Sequence, residues 1–201
     1  MGVHGSELMG KRFIGQEIEE VIPQLAELRI QVFRDFPYLY EGSLEYEKEY
    51  LKTYTNSKQS FLFAVFDGDK MVGATTCIPL LDETEEVILP FRESKLPLEK
   101  IVYFGESILL KPYRGLGYGK RFFQEREAHA KSLQGIEEVY FCGVRRPENH
   151  PLRPADYQPL DPFWLSQGYK KKEGLVSYFS WLDIGKDEED EKPMDYWFKK
   201  I

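Results

Sequence analysis

The sequence predicts an α/β protein of one domain, built on a single mixed sheet with helices on both sides. Three observations predict it. The chain has 201 residues, the size of one domain with a real core. Its periodic segments alternate between helical and strand-like patterns, with no internal repeat and no hinge-like linker between two halves. Near the middle, a strand-like run (101–110), a helical run (117–133) and a second strand-like run (139–144) form a βαβ unit. Its two strands should lie parallel with a right-handed crossover.

Each element follows in order. The start, MGVHGSELMG, has neither an apolar core nor an export signal, and residues 1–10 read as a disordered leader to a domain over 11–201. From Gly15 to Phe33 apolar residues recur every three or four positions (Ile18, Val21, Ile22, Leu25, Leu28, Val32), giving an amphipathic helix in which Pro23 marks the first turn or a kink. A second helix runs from Ser43, its cap, to about Tyr54, with Tyr46, Tyr50 and Tyr54 on one face. Strands over 61–66 and 71–80 are joined by the hairpin turn signal Asp67-Gly68-Asp69-Lys70. A polar excursion or short helix bounded by Pro90 and Pro97 leads to the 101–110 strand. After the 139–144 strand come a proline-rich irregular stretch (145–162), a helical turn ended by Gly168, a strand over LVSYFSW, an acidic connector and a final strand, PMDYWFKKI. That last strand could pair within its own sheet or with a neighbour's, which leaves a homodimer open.

The net charge of −7 argues against nucleic acid or an anionic membrane as the main partner. There is no apolar run of membrane-spanning length, and the expected compartment is the cytoplasm. Cys77 and Cys142 fall in apolar strand-like runs and read as buried free thiols. The three histidines are too scattered to assemble a metal site, so no metal is expected.

The segment RGLGYGK, Arg114 to Lys120, carries the most chemistry. Its three glycines sit between a strand and a helix and leave backbone N–H groups uncovered at the helix start. Arg114 and Lys120 add positive charge. A helix N-terminus of this kind binds phosphate, although the glycines also fit a tight strand-to-helix turn with no ligand. A Walker A loop would need G-x-x-x-x-G-K-[ST], but Lys120 is followed by Arg121. A dinucleotide fingerprint would need G-x-G-x-x-G, and the spacing here is G-x-G-x-G.

RGLGYG resembles the R/Q-x-x-G-x-G/A signature of the GNAT superfamily of N-acetyltransferases, through Arg114, Gly117 and Gly119. FWLSQGYKK resembles that family's aromatic-x-x-x-Gly-Phe/Tyr segment, and the order of elements matches from about residue 15 to 201. The resemblance implies a GNAT-like fold, a mixed and mostly antiparallel sheet whose parallel pair splays apart. It implies acetyl-CoA as co-substrate, with its pyrophosphate held by Arg114, Gly115, Leu116, Gly117, Tyr118, Gly119 and Lys120. The backbone of Leu109 and Leu110 would meet the pantetheine arm and acetyl end, with an N–H near Leu110 polarising the carbonyl. The activity implied is direct transfer of acetyl to a primary amine, a small molecule or a peptide, within a ternary complex. The alternative is a non-catalytic acyl-CoA-binding or sensing module.

Glu106, in the middle of the strand before the loop, is the candidate general base. A carboxylate among apolar neighbours must be paired or wet to be tolerated there. Relatives often place a proton-donating tyrosine before the Gly-Phe/Tyr pair. Alignment on Gly168-Tyr169 puts Trp164 at that place, and indole is no acid; Tyr157 or water could substitute. For the acceptor, Arg29, Arg34, Tyr38 and Tyr40 lie at the end of the first helical run and in the loop after it, and Arg34 and Tyr38 are taken as substrate contacts. An arginine pair here could grip an acceptor carboxylate.

Overall fold

The computed structural model describes residues 7–201. It shows one seven-stranded sheet in the order β1-β2-β3-β4-β5-β7-β6. The strands are β1 (Met9–Ile14), β2 (Phe61–Asp67), β3 (Lys70–Pro79), β4 (Ile101–Leu109), β5 (Glu138–Val144), β6 (Lys170–Trp181) and β7 (Asp190–Lys200). The helices are α1 (Ile22–Phe33), α2 (Leu44–Asn56), α3 (Glu85–Glu93), α4 (Tyr118–Ser132) and α5 (Asp161–Ser166). Every neighbouring pair is antiparallel except β4 and β5. α1 to α3 cover one face, where Phe91 of α3 packs edge-on to Tyr140 and Tyr196. α4 and α5 cover the other, where Phe122 meets Phe63 and Trp164 meets Phe141.

Several expectations need correction. β1 occupies part of the expected leader: Met9 and Gly10 pair with Phe66 and Val65 of β2. Residues 1–6 lie outside the described residues. The first long helical run is two elements, a 3₁₀ segment (Gly15–Val21) followed by α1 with Pro23 in its first turn. α3 runs through Pro90 instead of stopping at it, because burial of Val87, Ile88 and Phe91 outweighs the broken helix pattern. β6 begins at Lys170, and β7 takes in Asp190 and Glu191 of the acidic connector. β7 lies between β5 and β6, so both of its edges are paired within its own sheet. The Ser43 cap is as expected, its Oγ accepting the Tyr46 N–H at 3.2 Å.

Two irregularities shape the middle of the sheet. β4 and β5 pair only at Ile101–Glu138, Val102–Val139 and Tyr103–Tyr140, and beyond Tyr103 the strands part. Between β3 and β4 the register steps from Cys77–Phe104 to Thr75–Ser107, so Gly105 and Glu106 together oppose Thr76. That is a β-bulge, which turns a side chain to a face that strict alternation would deny it.

Candidate functional site

The bulge sets Glu106. Phe104 faces α4, where the Arg126 guanidinium lies 4.3 Å from its ring centroid. Gly105 faces α2, since a Cβ there would come within 2.0 Å of Tyr54 Oη. The extra residue lets Glu106 face the α1–α2 side as well. Its Oε2 accepts from Arg29 Nη1 at 2.7 Å and from Thr76 Oγ1 at 3.0 Å. Its Oε1 is buried and has no hydrogen-bond partner among the described residues. Glu106 is 3% exposed, and burial raises its carboxyl above the ordinary value although Arg29 pulls the other way.

Arg29 also donates its Nε to Glu47, whose other oxygen accepts the Tyr40 hydroxyl at 2.8 Å. Burial alone would lower the Arg29 pKa, but Glu106 and Glu47 override it and hold the guanidinium charged. An acceptor carboxylate gripped by Arg29 and Arg34 would have to compete with carboxylates of the protein. Arg29 is committed to two carboxylates of the protein, and Arg34 pairs with Glu41 at 2.9 Å on the surface. Tyr40, likewise, serves Glu47.

Tyr38 stands at the gap between β4 and β5. Arg145 N–H bonds to Pro193 O at 2.9 Å, on the β7 side, so strand alternation turns the Val144 N–H toward the gap. The Tyr38 hydroxyl meets the backbone of Val144 there, beside Cys142 and Tyr157, and burial raises its pKa. Arg146 fixes the loop that carries it, donating to Pro37 O and Tyr38 O at 2.7 Å each and pairing twice with Asp183 at 2.9 Å. Tyr157 packs edge-on to Phe36 at 4.8 Å. Trp164 packs on Phe141 and Trp197 and stands over Gly143 at the end of β5, so it is a wall of the gap.

The glycine loop follows β4. Gly115 (φ 79°) and Gly117 (φ 87°) are left-handed, and a Cβ on either would point into open space. Gly117 is the N-cap of α4, and its carbonyl accepts the Arg121 N–H. The N–H groups of Tyr118, Gly119 and Lys120 form the first turn, where a helix offers no acceptor of its own. The loop is exposed, as a cradle for a large anionic ligand must be. Arg114 Nε is held by Leu109 O at 3.0 Å, which aims its head along the loop. Leu110 itself has no free backbone group to offer. Its N–H is bonded to Val72 O at 2.9 Å and its carbonyl accepts the Tyr113 N–H. By alternation the Leu109 N–H is the one that faces the gap.

Other candidates are otherwise engaged. His129 stacks on Phe61 and contacts Gln59 O. His150 Nδ1 accepts the Leu152 N–H within its own loop. Cys77 and Cys142 are free, and burial pushes both thiols up to about 12, so neither is a thiolate nucleophile. Among the described residues no three His, Cys, Asp or Glu side chains could hold a metal ion, and no helix is long and apolar enough to cross a membrane. Sequence reasoning missed Thr76, Tyr54, Glu47 and Glu83 around Glu106. Only the tyrosine face of the second helix hinted at them.

The gap, the left-handed glycines and the free first turn of α4 together fit a long phosphorylated thioester. Solved structures share this fold at low identity. An acetyltransferase from Thermus thermophilus is 16% identical, with 95% of this chain and 97% of that chain covered and a TM-score of 0.54. NAA60 of Arabidopsis thaliana, solved with a bisubstrate analogue, is 13% identical, with 97% and 99% covered and a TM-score of 0.59. A putative acetyltransferase of Acinetobacter baylyi is 11% identical, with 98% and 94% covered and a TM-score of 0.63. A search of curated proteins gives no match. The model of the acetyltransferase (GNAT) family matches residues 24–155, well over half of the chain, including β4, the glycine loop and β5. With that match and this sheet, the chain belongs to the GNAT family of acetyltransferases, which use acetyl-CoA as acetyl donor.

Proposed function

We propose that this protein transfers acetyl from acetyl-CoA directly to a primary amine, with Glu106 as general base. The observation that carries this reading is Glu106 Oε1, a buried carboxylate oxygen with no partner among the described residues, on the strand that borders the gap. A buried polar atom left alone is costly and calls for a ligand that completes it. Oε2, fixed by Arg29 and Thr76, keeps the carboxylate in place, while Oε1 is left to take the proton of the attacking amine.

Acetyl-CoA, when bound, supplies the thioester carbonyl that the amine attacks. Gly115 to Lys120 would hold its pyrophosphate through backbone N–H groups at the positive end of α4, with Arg114 adding charge. The Leu109 N–H faces the gap and would donate to the carbonyl oxygen, as the donors of an oxyanion hole do. Tyr38, beside Val144 and Cys142, would return a proton to the departing sulfur, a role that Trp164 cannot fill. Tyr38 and Arg34 would contact the acceptor. The acceptor is a small amine or a peptide amine.

A second reading, a non-catalytic acyl-CoA-binding or sensing module, is favoured by the tight Arg29–Glu106 pairing. The two are separated by acetyl-CoA turnover over a panel of polyamines, amino acids, aminoglycosides and peptide N-termini, together with calorimetric CoA binding. Turnover that drops about 10²–10⁴-fold in Glu106→Gln supports the enzyme. Tight CoA binding with no amine consumed supports the module.

A further inference from the structure

The proposal here rests on the reading of Glu106 as the base and concerns where its proton goes. A base sealed from solvent must be emptied in every turnover, and Glu106 is 3% exposed. We propose that its proton leaves through a buried hydroxyl relay, Thr76 and then Tyr54, ending on Glu83 in a surface hollow at the C-terminal end of α2.

The links are on one face of the sheet. Thr76 Oγ1 lies 3.0 Å from Glu106 Oε2. The next oxygen is the Tyr54 hydroxyl, which stands beside Thr76 Oγ1. Both oxygens crowd the point above Gly105, where a Cβ would come within 2.5 Å of Thr76 Oγ1 and 2.0 Å of Tyr54 Oη. Tyr54 Oη reaches Glu83 Oε1 at 3.4 Å, the longest link, and Tyr50 Oη reaches the same oxygen at 3.2 Å. Glu83 lines a hollow of about 290 Å³ with Thr53, Asn56, Ser57, Asp82 and Thr84. Among the described residues Glu83 makes no ion pair; its oxygens take Tyr50, Tyr54 and the Thr84 N–H. Glu106, by contrast, is faced by Arg29 from α1, by Glu47 and Tyr54 from α2 and by Arg126 from α4. The exit therefore leads away from the cationic end. Burial raises both carboxyls, so each can hold the proton in turn.

The step balances. A half-turn of the carboxyl about its last torsion, a broad two-fold rotor, brings the protonated oxygen to Thr76. Thr76 takes that proton and gives its own to Tyr54, which gives its own to Glu83. One proton enters at Glu106, one appears at Glu83, and both hydroxyls end as they began.

The test uses single-turnover kinetics with acetyl-CoA and the fastest amine of the panel. Glu83→Ala is expected to slow transfer roughly tenfold, and formate, a small carboxylate that fits the hollow, to restore it saturably. Tyr54→Phe is expected to be slow and indifferent to formate. Circular dichroism and thermal melting establish that each variant is folded. Full rates in both variants, or equal rescue of both, overturn the relay. If Glu106→Gln is inactive while those two are unimpaired, the relay alone fails; if Glu106→Gln is fully active, the base assignment fails first. Infrared titration needs no acceptor. The protonated-carboxyl bands of Glu106 and Glu83, identified by Gln substitution, are expected to shift together and to decouple in Tyr54→Phe. Bands unmoved by that substitution overturn the relay.

Discussion

Arg29 holds two carboxylates with one guanidinium, and that shapes what single substitutions do. Replacing it with Met leaves Glu47 and Glu106 buried without the cation they both pair with. Urea denaturation should show a loss of about 3–5 kcal/mol, far more than an exposed pair such as Arg34–Glu41 would cost at about 0–1 kcal/mol. As the proposed general base, Glu106 also sets a pH dependence. Burial raises its folded pKa, and the base must be ionised, so kcat/KM should fall as pH drops, with the acid limb above the ordinary glutamate value of about 4.3. In Glu106→Gln that limb should vanish from the pH–rate profile. The same shift acts on stability with the opposite sign: the folded state holds this proton more tightly than the unfolded chain. Its contribution is therefore full below the unfolded pKa and is lost as pH rises through the folded one. Glu106 itself was legible in the sequence as a polar residue in an apolar strand. Its partners were not, because Arg29, Glu47 and Thr76 are distant in sequence and meet only through packing.

At the scale of elements, the bulge in β4 decides the site. Strict alternation would send Glu106 to the α4 face, and a sequence pattern of period two cannot announce one extra residue. Gly105 is the visible trace, a residue with no Cβ where Tyr54 and Thr76 close in. Gly105→Ala should disrupt this crossing and cost about 1–3 kcal/mol of stability by thermal or urea unfolding, with transfer slowed as Glu106 is displaced. An unchanged variant would mean that the hydroxyls above the bulge are free to move. β1 was missed for a related reason: only Phe13 among its residues is buried, so the strand carries almost no alternation and is held by backbone pairing to β2. The strand-loop-helix unit from β4 to α4 was legible because its glycines, caps and periodicities agree locally. α3 was half legible, since Pro90 argued for a break that packing of Phe91 overrode.

Across the whole molecule, the order of elements foretold the sheet, while the loops at its open end did not reveal themselves. The stretch over 145–160 carries no periodicity, and its anchor is the buried cluster of Arg146, Asp183 and Lys192, which joins three distant segments. The largest consequence lies in the seam between β4 and β5. Three residue pairs join a four-stranded half-sheet to a three-stranded one, so relative rotation of the halves is the softest large-scale motion the backbone permits. A ligand bridging the seam would stiffen it by linking both halves, and would raise the melting temperature as its concentration climbs above its Kd. Hydrogen exchange with and without CoA reads this directly. Slower exchange is expected at Ser107, Leu109 and Val144, on the two lips of the opening. CoA that binds and leaves those amides unchanged would place it elsewhere. With that slowing, donor binding and rigidity would be one property: the fold would be completed mechanically by the molecule it consumes.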